Sequence, residues 1–228
     1  MISVVIPTLN EERALPATLR ALLPQQHLQE VIVCDGGSTD TTLAKAQGFR
    51  GLLPNLQVFQ APPGRAQQMN AAAQKASGEW LLFLHADTTL PANALAAIAS
   101  CDSDAGVFCH RFSGNHWGLR LISVLHNSRF RRSGIMYGDQ GIFVRRALFQ
   151  RVGGYPEELM EDIRFSEQLL KHTSPVQLTQ TLITDSRKFE QIGVWRAFWW
   201  VLIILCKDRL WRGKAGKLVK PEFFAEYR

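Results

Sequence analysis

A chain of 228 residues, 46% hydrophobic and 20% charged, suits one α/β domain with an appendage and is too apolar for intrinsic disorder. The formal charge of +6 is unevenly placed: residues 1–186 carry 16 basic and 16 acidic side chains, so the whole excess, 10 basic against 4 acidic, lies in 187–228. Cys34, Cys101, Cys109 and Cys206 form no CxxC pair or zinc-ligand spacing and read as buried thiols of a reducing compartment. No basic leader precedes the first strand, so no secretory signal is expected.

The first half alternates short β-rich runs with helical patterns. Residues 2–6 read as a strand and 11–23 as a helix, with Asn10 as a candidate N-cap and Pro24 as a stop. A strand at 31–34 leads through Gly36 and Gly37 to a helix from about Thr39. A short strand at 56–59 precedes a helix at 66–76. Residues 80–84 are apolar throughout, as expected of a strand buried on both faces, and 91–100 read as a helix opened by proline. This order implies a mainly parallel, doubly wound sheet between helical layers. The second half is less regular: a strand at 105–112, a helix at 117–129, a strand at 141–144 and a turn at Gly153-Gly154-Tyr155-Pro156. An amphipathic helix at 160–171 and an extended run at 176–183 follow.

Ligands of open parallel sheets bind beyond the carboxyl ends of the strands. After strands 1, 2 and 4 the sequence reads Pro7-Thr8-Leu9-Asn10-Glu11-Glu12, Asp35-Gly36-Gly37-Ser38-Thr39-Asp40 and His85-Ala86-Asp87. Three polar mouths on one edge make a pocket. Asp35 can accept hydrogen bonds from a nucleobase or ribose, or it can serve the turn and helix cap that follow it. Asp87 ends an apolar strand, where one carboxylate and a diphosphate suit Mg²⁺ or Mn²⁺. His85 either adds a nitrogen ligand, which favours Mn²⁺, or stands behind the site as a hydrogen-bonding partner. Arg65 opens a helix, where its charge opposes the helix dipole; an anionic ligand would relieve that conflict, and a solvated arginine is the alternative. Glu161-Asp162 opens another helix, either as dipole complements or with one of them as a general base.

Taken together, these segments resemble the family 2 glycosyltransferases of the GT-A fold. The resemblance rests on residues 4–12, 33–42 and 78–87 and on the acidic pair Glu161-Asp162, and it runs over about residues 1–190. Tyr137-Gly138-Asp139-Gln140-Gly141, Met160-Glu161-Asp162 and Ser186-Arg187-Lys188-Phe189 are similar to one bacterial subgroup, the radical-SAM/selenodomain-associated transferase type 2 group. The resemblance implies a nucleotide-diphosphate sugar donor, UDP- or GDP-linked, with Pro7, Thr8 and Glu11 along the nucleoside and Asp35 on the base. It places Arg65 on the base or diphosphate, with Asn70 on the same helix as a further donor-site candidate. Asp87 matches the last acid of the family's DxD motif, and Asp162 matches the base of an inverting transfer. The sequence departs from the family at three places: His85-Ala86-Asp87 lacks the first DxD acid, Gly36 stands where a second acid is usual, and Arg187-Lys188-Phe189 only partly matches the QxxRW motif.

Residues 191–228 are expected to be a helical, basic appendage to a domain of residues 1–190. Ten apolar residues at 197–206 are half of the roughly 20 that a bilayer span needs. Flanking tryptophans and basic side chains suit a membrane interface, and so a lipid-linked acceptor at the cytoplasmic face; a core or dimer helix is the alternative. The tryptophans are not interleaved with the basic residues, which argues against nucleic acid. A nucleotidyltransferase is disfavoured by the acidic turn after strand 1, where a triphosphate needs a glycine-rich basic loop. A non-catalytic nucleotide-sugar-binding or membrane-docking protein stays as the rival reading.

Overall fold

The computed structural model describes residues 1–158, 160–199 and 202–203. Residues 1–186 form one compact unit, and a second begins at Arg187.

The first unit is built on an eight-stranded sheet. At its centre lies β1 (Ile2–Thr8), with β2 (Leu28–Asp35) and then β3 (Gln57–Gln60) on one side and β4 (Trp80–Phe83) on the other, all parallel. Beyond β4 the direction reverses. The next strand outward is β7 (Ile142–Arg145), antiparallel both to β4 and to β6 (Ala105–Phe112). β8 (Val176–Thr184) pairs parallel to β6, and the two-residue β5 (Thr88–Thr89) closes that edge antiparallel to β8. The sheet is thus mostly parallel, as expected, with reversals that the β-α alternation of the first half does not announce.

Helices cover both faces, giving three layers. Ile2, Val4 and Ile6 of β1 pack with Leu15, Leu19 and Leu22 of α1 (Leu15–Leu22) and with Leu95 and Ile98 of α4 (Ala94–Ala99). α2 (Thr42–Gln47) adds Ala46 to this layer. The alternate residue Val5 packs on the other face, with Met69 and Ala72 of α3 (Arg65–Lys75). Phe130 of α5 (Trp117–Ser133), Phe149 of α6 (Arg146–Val152) and Phe165 of α7 (Glu161–Leu169) complete that second layer. A strand buried on both faces has no polar side to alternate, which is why β1 and β4 read as continuous apolar runs.

Three helices start later than the sequence suggests; α2 begins at Thr42 rather than near Thr39. α1 begins at Leu15 rather than near Glu11, because Pro16 lacks an N–H and fits a helix only in its first turn. Asn10 does not cap it: its backbone is left-handed, φ 54°, and its side chain is engaged across the neighbouring loop. α4 begins at Ala94, after a turn in which Ala94 N–H donates to the Pro91 carbonyl. Where β6, β7 and β8 meet, Gly106 is required: a Cβ there would stand 2.5 Å from Phe143 Cζ and closer still to the Val176 carbonyl oxygen.

In the second unit, α8 (Arg187–Ile192) is followed by Gly193 at φ 92°. Most of the tryptophan-rich basic stretch 195–228 lies outside the described residues, so its expected membrane or dimer role does too. Among the described residues, no helix is long and apolar enough to cross a membrane. Cys34, Cys101 and Cys109 are free thiols, and burial pushes that of Cys34 up to about 11.

Candidate active site

The carboxyl ends of β1 and β2 carry two loops that are laced together. Thr39 N–H donates to Asn10 Oδ1 at 2.9 Å, and Asn10 N–H donates to Ser38 Oγ at 2.8 Å. Glu11 N–H donates to Thr42 Oγ1 at 2.8 Å, and Thr41 Oγ1 donates to Glu12 Oε2 at 2.6 Å. Asp40 caps the start of α2, accepting from Thr42 N–H at 2.9 Å. The two turns therefore form one reciprocal hydrogen-bond lattice: the backbone N–H groups of Asn10 and Glu11 donate to the Ser/Thr-rich turn after β2, and the Asn10 and Glu12 side chains accept from it.

Asp35 is fully buried beneath this lattice. Its carboxylate accepts from Gly37 N–H at 3.0 Å, Ser38 N–H at 2.8 Å, Ser38 Oγ at 2.5 Å and Thr8 Oγ1 at 3.2 Å. Asp35 and Thr8 thus shape the turn from within. Gln68 of α3 spans the same place, its Nε2 donating to the Thr8 and Cys34 carbonyls, each at 2.8 Å. That explains Gly36, because a Cβ there would meet the Gln68 amide at 3.1 Å.

Beside these loops lies a pocket lined by Pro7, Arg65, Met69, Phe83, Leu84, His85, Gly138, Tyr155, Glu161 and Asp162. Five of the ten residues singled out from the sequence thus meet in one place: Pro7, Arg65, His85, Glu161 and Asp162. Residues 65 and 161 lie far apart in the chain, yet Arg65 Nη1 stands 3.4 Å from Glu161 Oε1. The helix-dipole conflict at Arg65 is met internally. Burial works against the guanidinium charge, but Glu161, then Asp162, Asp139 and Asp87, outweigh it and hold the Arg65 pKa above its ordinary value.

Asp162 is a carboxylate with a raised pKa. Burial, and after it the neighbouring Glu161 carboxylate, push its pKa up to about 6. Hydrogen bonds from Gly138 N–H to Oδ2 at 3.0 Å and from Ile163 N–H to Oδ1 at 2.8 Å, together with Arg65, pull the other way without cancelling the rise. Met160 enters α7 with φ 60°, a strained backbone for a residue with a side chain, and it is at this bend that Glu161-Asp162 enter the pocket. A carboxylate tuned near neutrality can take a proton from a hydroxyl group at neutral pH.

The other candidates stand around this pocket rather than in it. Asn70 is committed to the backbone of Tyr155: its Nδ2 donates to the Tyr155 carbonyl at 2.8 Å, and Tyr155 N–H donates to its Oδ1 at 2.9 Å. It holds the pocket wall, and Gly154 beside it has no room for a Cβ, which would lie 2.7 Å from Asn70 Oδ1. Glu11 is buried in the β1–α1 loop. Asp87 is half-buried in the turn after β4, where Thr88 N–H donates to the His85 carbonyl at 3.1 Å. Its charge is felt at Arg65. The pocket wall also includes Met69, Phe83, Gly138 and Tyr155, which sequence reasoning did not assign to a site. Tyr155 was legible only as part of a glycine-rich turn.

Comparison with known proteins bears on the family and the fold. The family model for glycosyl transferase family 2 matches residues 3–143. A PGL/p-HBAD biosynthesis glycosyltransferase of Mycobacterium tuberculosis is 34% identical over 172 residues, covering 68% of this chain and 63% of that protein. The matched stretch is therefore under two thirds of the relative's length. Among solved structures, the mannosyltransferase PcManGT of Pyrobaculum calidifontis, in complex with GDP-Man and Mn²⁺, aligns with a TM-score of 0.70 at 22% identity, covering 98% of this chain and 66% of that one. Staphylococcus aureus TarS in complex with UDP aligns at 0.65 and 24%, covering 81% and 60%. The fold is GT-A, and from the parallel strands of the first half to the antiparallel β7 the chain belongs to glycosyl transferase family 2.

Proposed function

We propose that this chain transfers a sugar from a nucleotide-diphosphate donor to an acceptor hydroxyl with inversion, Asp162 acting as the base. The observation that carries the reading is the pocket itself. It joins the ends of β1 and β4 to two helix starts, and it holds an Arg65–Glu161 pair beside a carboxylate whose pKa is raised to about 6. In the reaction the acceptor oxygen forms its bond to the anomeric carbon and its proton passes to Asp162. The bond from that carbon to the diphosphate breaks, and the electron pair leaves with the nucleoside diphosphate. Glu161 keeps Asp162 basic enough to take the proton and anchors Arg65 within reach of the anionic donor.

The laced loops form the nucleoside floor, with Pro7 at its edge and Thr8, Glu11 and Asp35 setting its shape from below. UDP and GDP are the candidate nucleotides, in keeping with the donors named for TarS and PcManGT. Asp87 and His85 share one turn at the strand end, a carboxylate and an imidazole that fit a divalent ion taking its remaining ligands from diphosphate and water. Mn²⁺ or Mg²⁺ held there by Asp87 would neutralise charge on the departing diphosphate.

Calorimetric titration with UDP and GDP, with and without Mn²⁺, on the wild type and Asp87→Ala tests the donor site. Metal-dependent binding lost in the variant is the expected result, and binding indifferent to metal removes Asp87 from the proposal. Turnover of Asp162→Asn at the wild-type rate removes the base.

A further inference from the structure

Behind the pocket wall lies a second cluster. His110 comes from β6, His126 from α5 and Asp139 from the 3-10 turn Gly138–Gln140. One donor atom of each lies within 4.8 Å of the other two. His126 Nε2 is 3.2 Å from Asp139 Oδ1, and His110 Nε2 is 4.0 Å from Asp139 Oδ2. All three are withdrawn from solvent, with side-chain exposures of 0% for His110, 11% for His126 and 26% for Asp139.

These groups are close, yet they do not satisfy one another. Among the described residues, neither ring nitrogen of His110 makes a hydrogen bond, and His126 Nε2 and Asp139 Oδ1, though 3.2 Å apart, make none of hydrogen-bond geometry. A buried polar atom left so is costly. Donor atoms of all three side chains lie within 4.8 Å of one another.

The surroundings hold that convergence in place. Asn127, next to His126, accepts from His110 N–H at 2.9 Å and donates to the His110 carbonyl at 3.0 Å, so the two histidine backbones are locked together. Tyr137 packs edge-on against the His126 ring at 5.0 Å, and Arg129 lies 3.9 Å over the Tyr137 ring. Gln140, fully buried, accepts from Tyr137 N–H at 3.3 Å and keeps the turn closed.

We infer that His110, His126 and Asp139 form a binding site for a borderline divalent transition ion of the Zn²⁺ class, separate from the ion position at Asp87. Two imidazoles and one carboxylate are the donor set such ions prefer. Two ligands bonded at about 2.0–2.1 Å in tetrahedral array stand about 3.3 Å apart, close to the 3.2 Å between His126 and Asp139. His110 Nε2, 4.0 Å from Asp139 Oδ2, stands further out than His126. Neither His85 nor Asp87 belongs to the set.

The site has a consequence for the pocket. Gly138 precedes Asp139 in the same turn, and its N–H donates to Asp162. An ion on Asp139 would therefore be held one residue from the N–H that meets Asp162.

The test is Co²⁺ and Zn²⁺ binding to chelator-stripped full-length protein, without nucleotide. The Co²⁺ visible spectrum and one equivalent of Zn²⁺ by competition against a chromogenic chelator are the readouts. The expected result is one ion per chain with nitrogen-ligand absorption, lost in both Asp139→Asn and His126→Gln and kept in Asp87→Ala. Circular dichroism confirms that the near-isosteric Asp139→Asn variant is folded. Stripped wild type that takes up no ion overturns the inference, as does uptake that survives both substitutions or disappears in Asp87→Ala. Because Asp87→Ala separates the two positions, failure of this site leaves the donor-site reading to its own titration.

Discussion

Replacing Asp162 by Asn removes a carboxylate that the fold keeps from ionising at its ordinary pH. In the unfolded chain the group titrates near 3.8, and in the folded chain near 6. Between those values the folded protein retains a proton that the unfolded chain releases. Stability therefore falls as pH rises through this window and is level above it. Two pKa steps of about 1.4 kcal/mol each give a full loss of about 3 kcal/mol. The interval from pH 4.5 to pH 8 captures about 2 kcal/mol of it. Asn does not titrate. It also forfeits one of the bonds from Gly138 and Ile163, but that cost is the same at every pH and drops out of the comparison. For a chain of this size 2 kcal/mol is about 4–8 °C in Tm. Thermal unfolding of both proteins, followed by circular dichroism in chelator without nucleotide, reads the effect directly. The variant's Tm minus the wild type's should grow by that amount from pH 4.5 to pH 8. A difference that stays constant, or shrinks, refutes the claim that burial and Glu161 raise this group.

On the proposed mechanism the ionised form of Asp162 accepts the proton, so kcat/KM should fall tenfold per pH unit below about pH 6, as a pH–rate profile would show. Arg65→Gln removes a charge that lowers the Asp162 pKa, so the same acid limb should move to higher pH while donor affinity by calorimetry falls roughly tenfold or more. Gly36→Ala should push Gln68 off the Thr8 and Cys34 carbonyls, costing about 1–3 kcal/mol in denaturant titration. Gly106→Ala forces a Cβ against backbone and a buried ring, and should yield little folded protein on expression.

The layered α/β plan was legible because β1, β2 and β4 are apolar on both faces and each is followed by a helix on a recognisable period. The pocket's acidic and basic members were legible as helix starts, Arg65 and Glu161-Asp162, and through the likeness to a known family. The reversal at β7 was hidden, since Ile142–Arg145 has the same composition whichever way it runs. Asp35 and Asn70 carried polar groups that pattern alone cannot apportion between ligand and backbone; the fold gives Asp35 to its own turn and Asn70 to Tyr155. The histidine cluster was invisible for a different reason. His110, His126 and Asp139 are drawn from a strand, a helix and a turn with no fixed spacing, and the Asn127 clamp ties the first two elements together.

The lattice joining the β1–α1 and β2–α2 loops bears on how such a protein can change its donor. Asn10, Glu11 and Glu12 have their partners in Ser38, Thr41 and Thr42, one loop supplying what the other lacks. Exchanging either loop alone for that of another transferase would strand half of these pairs. The two segments thus depend on each other, and on the proposed function a graft meant to alter nucleotide preference carries residues 8–12 and 35–42 together.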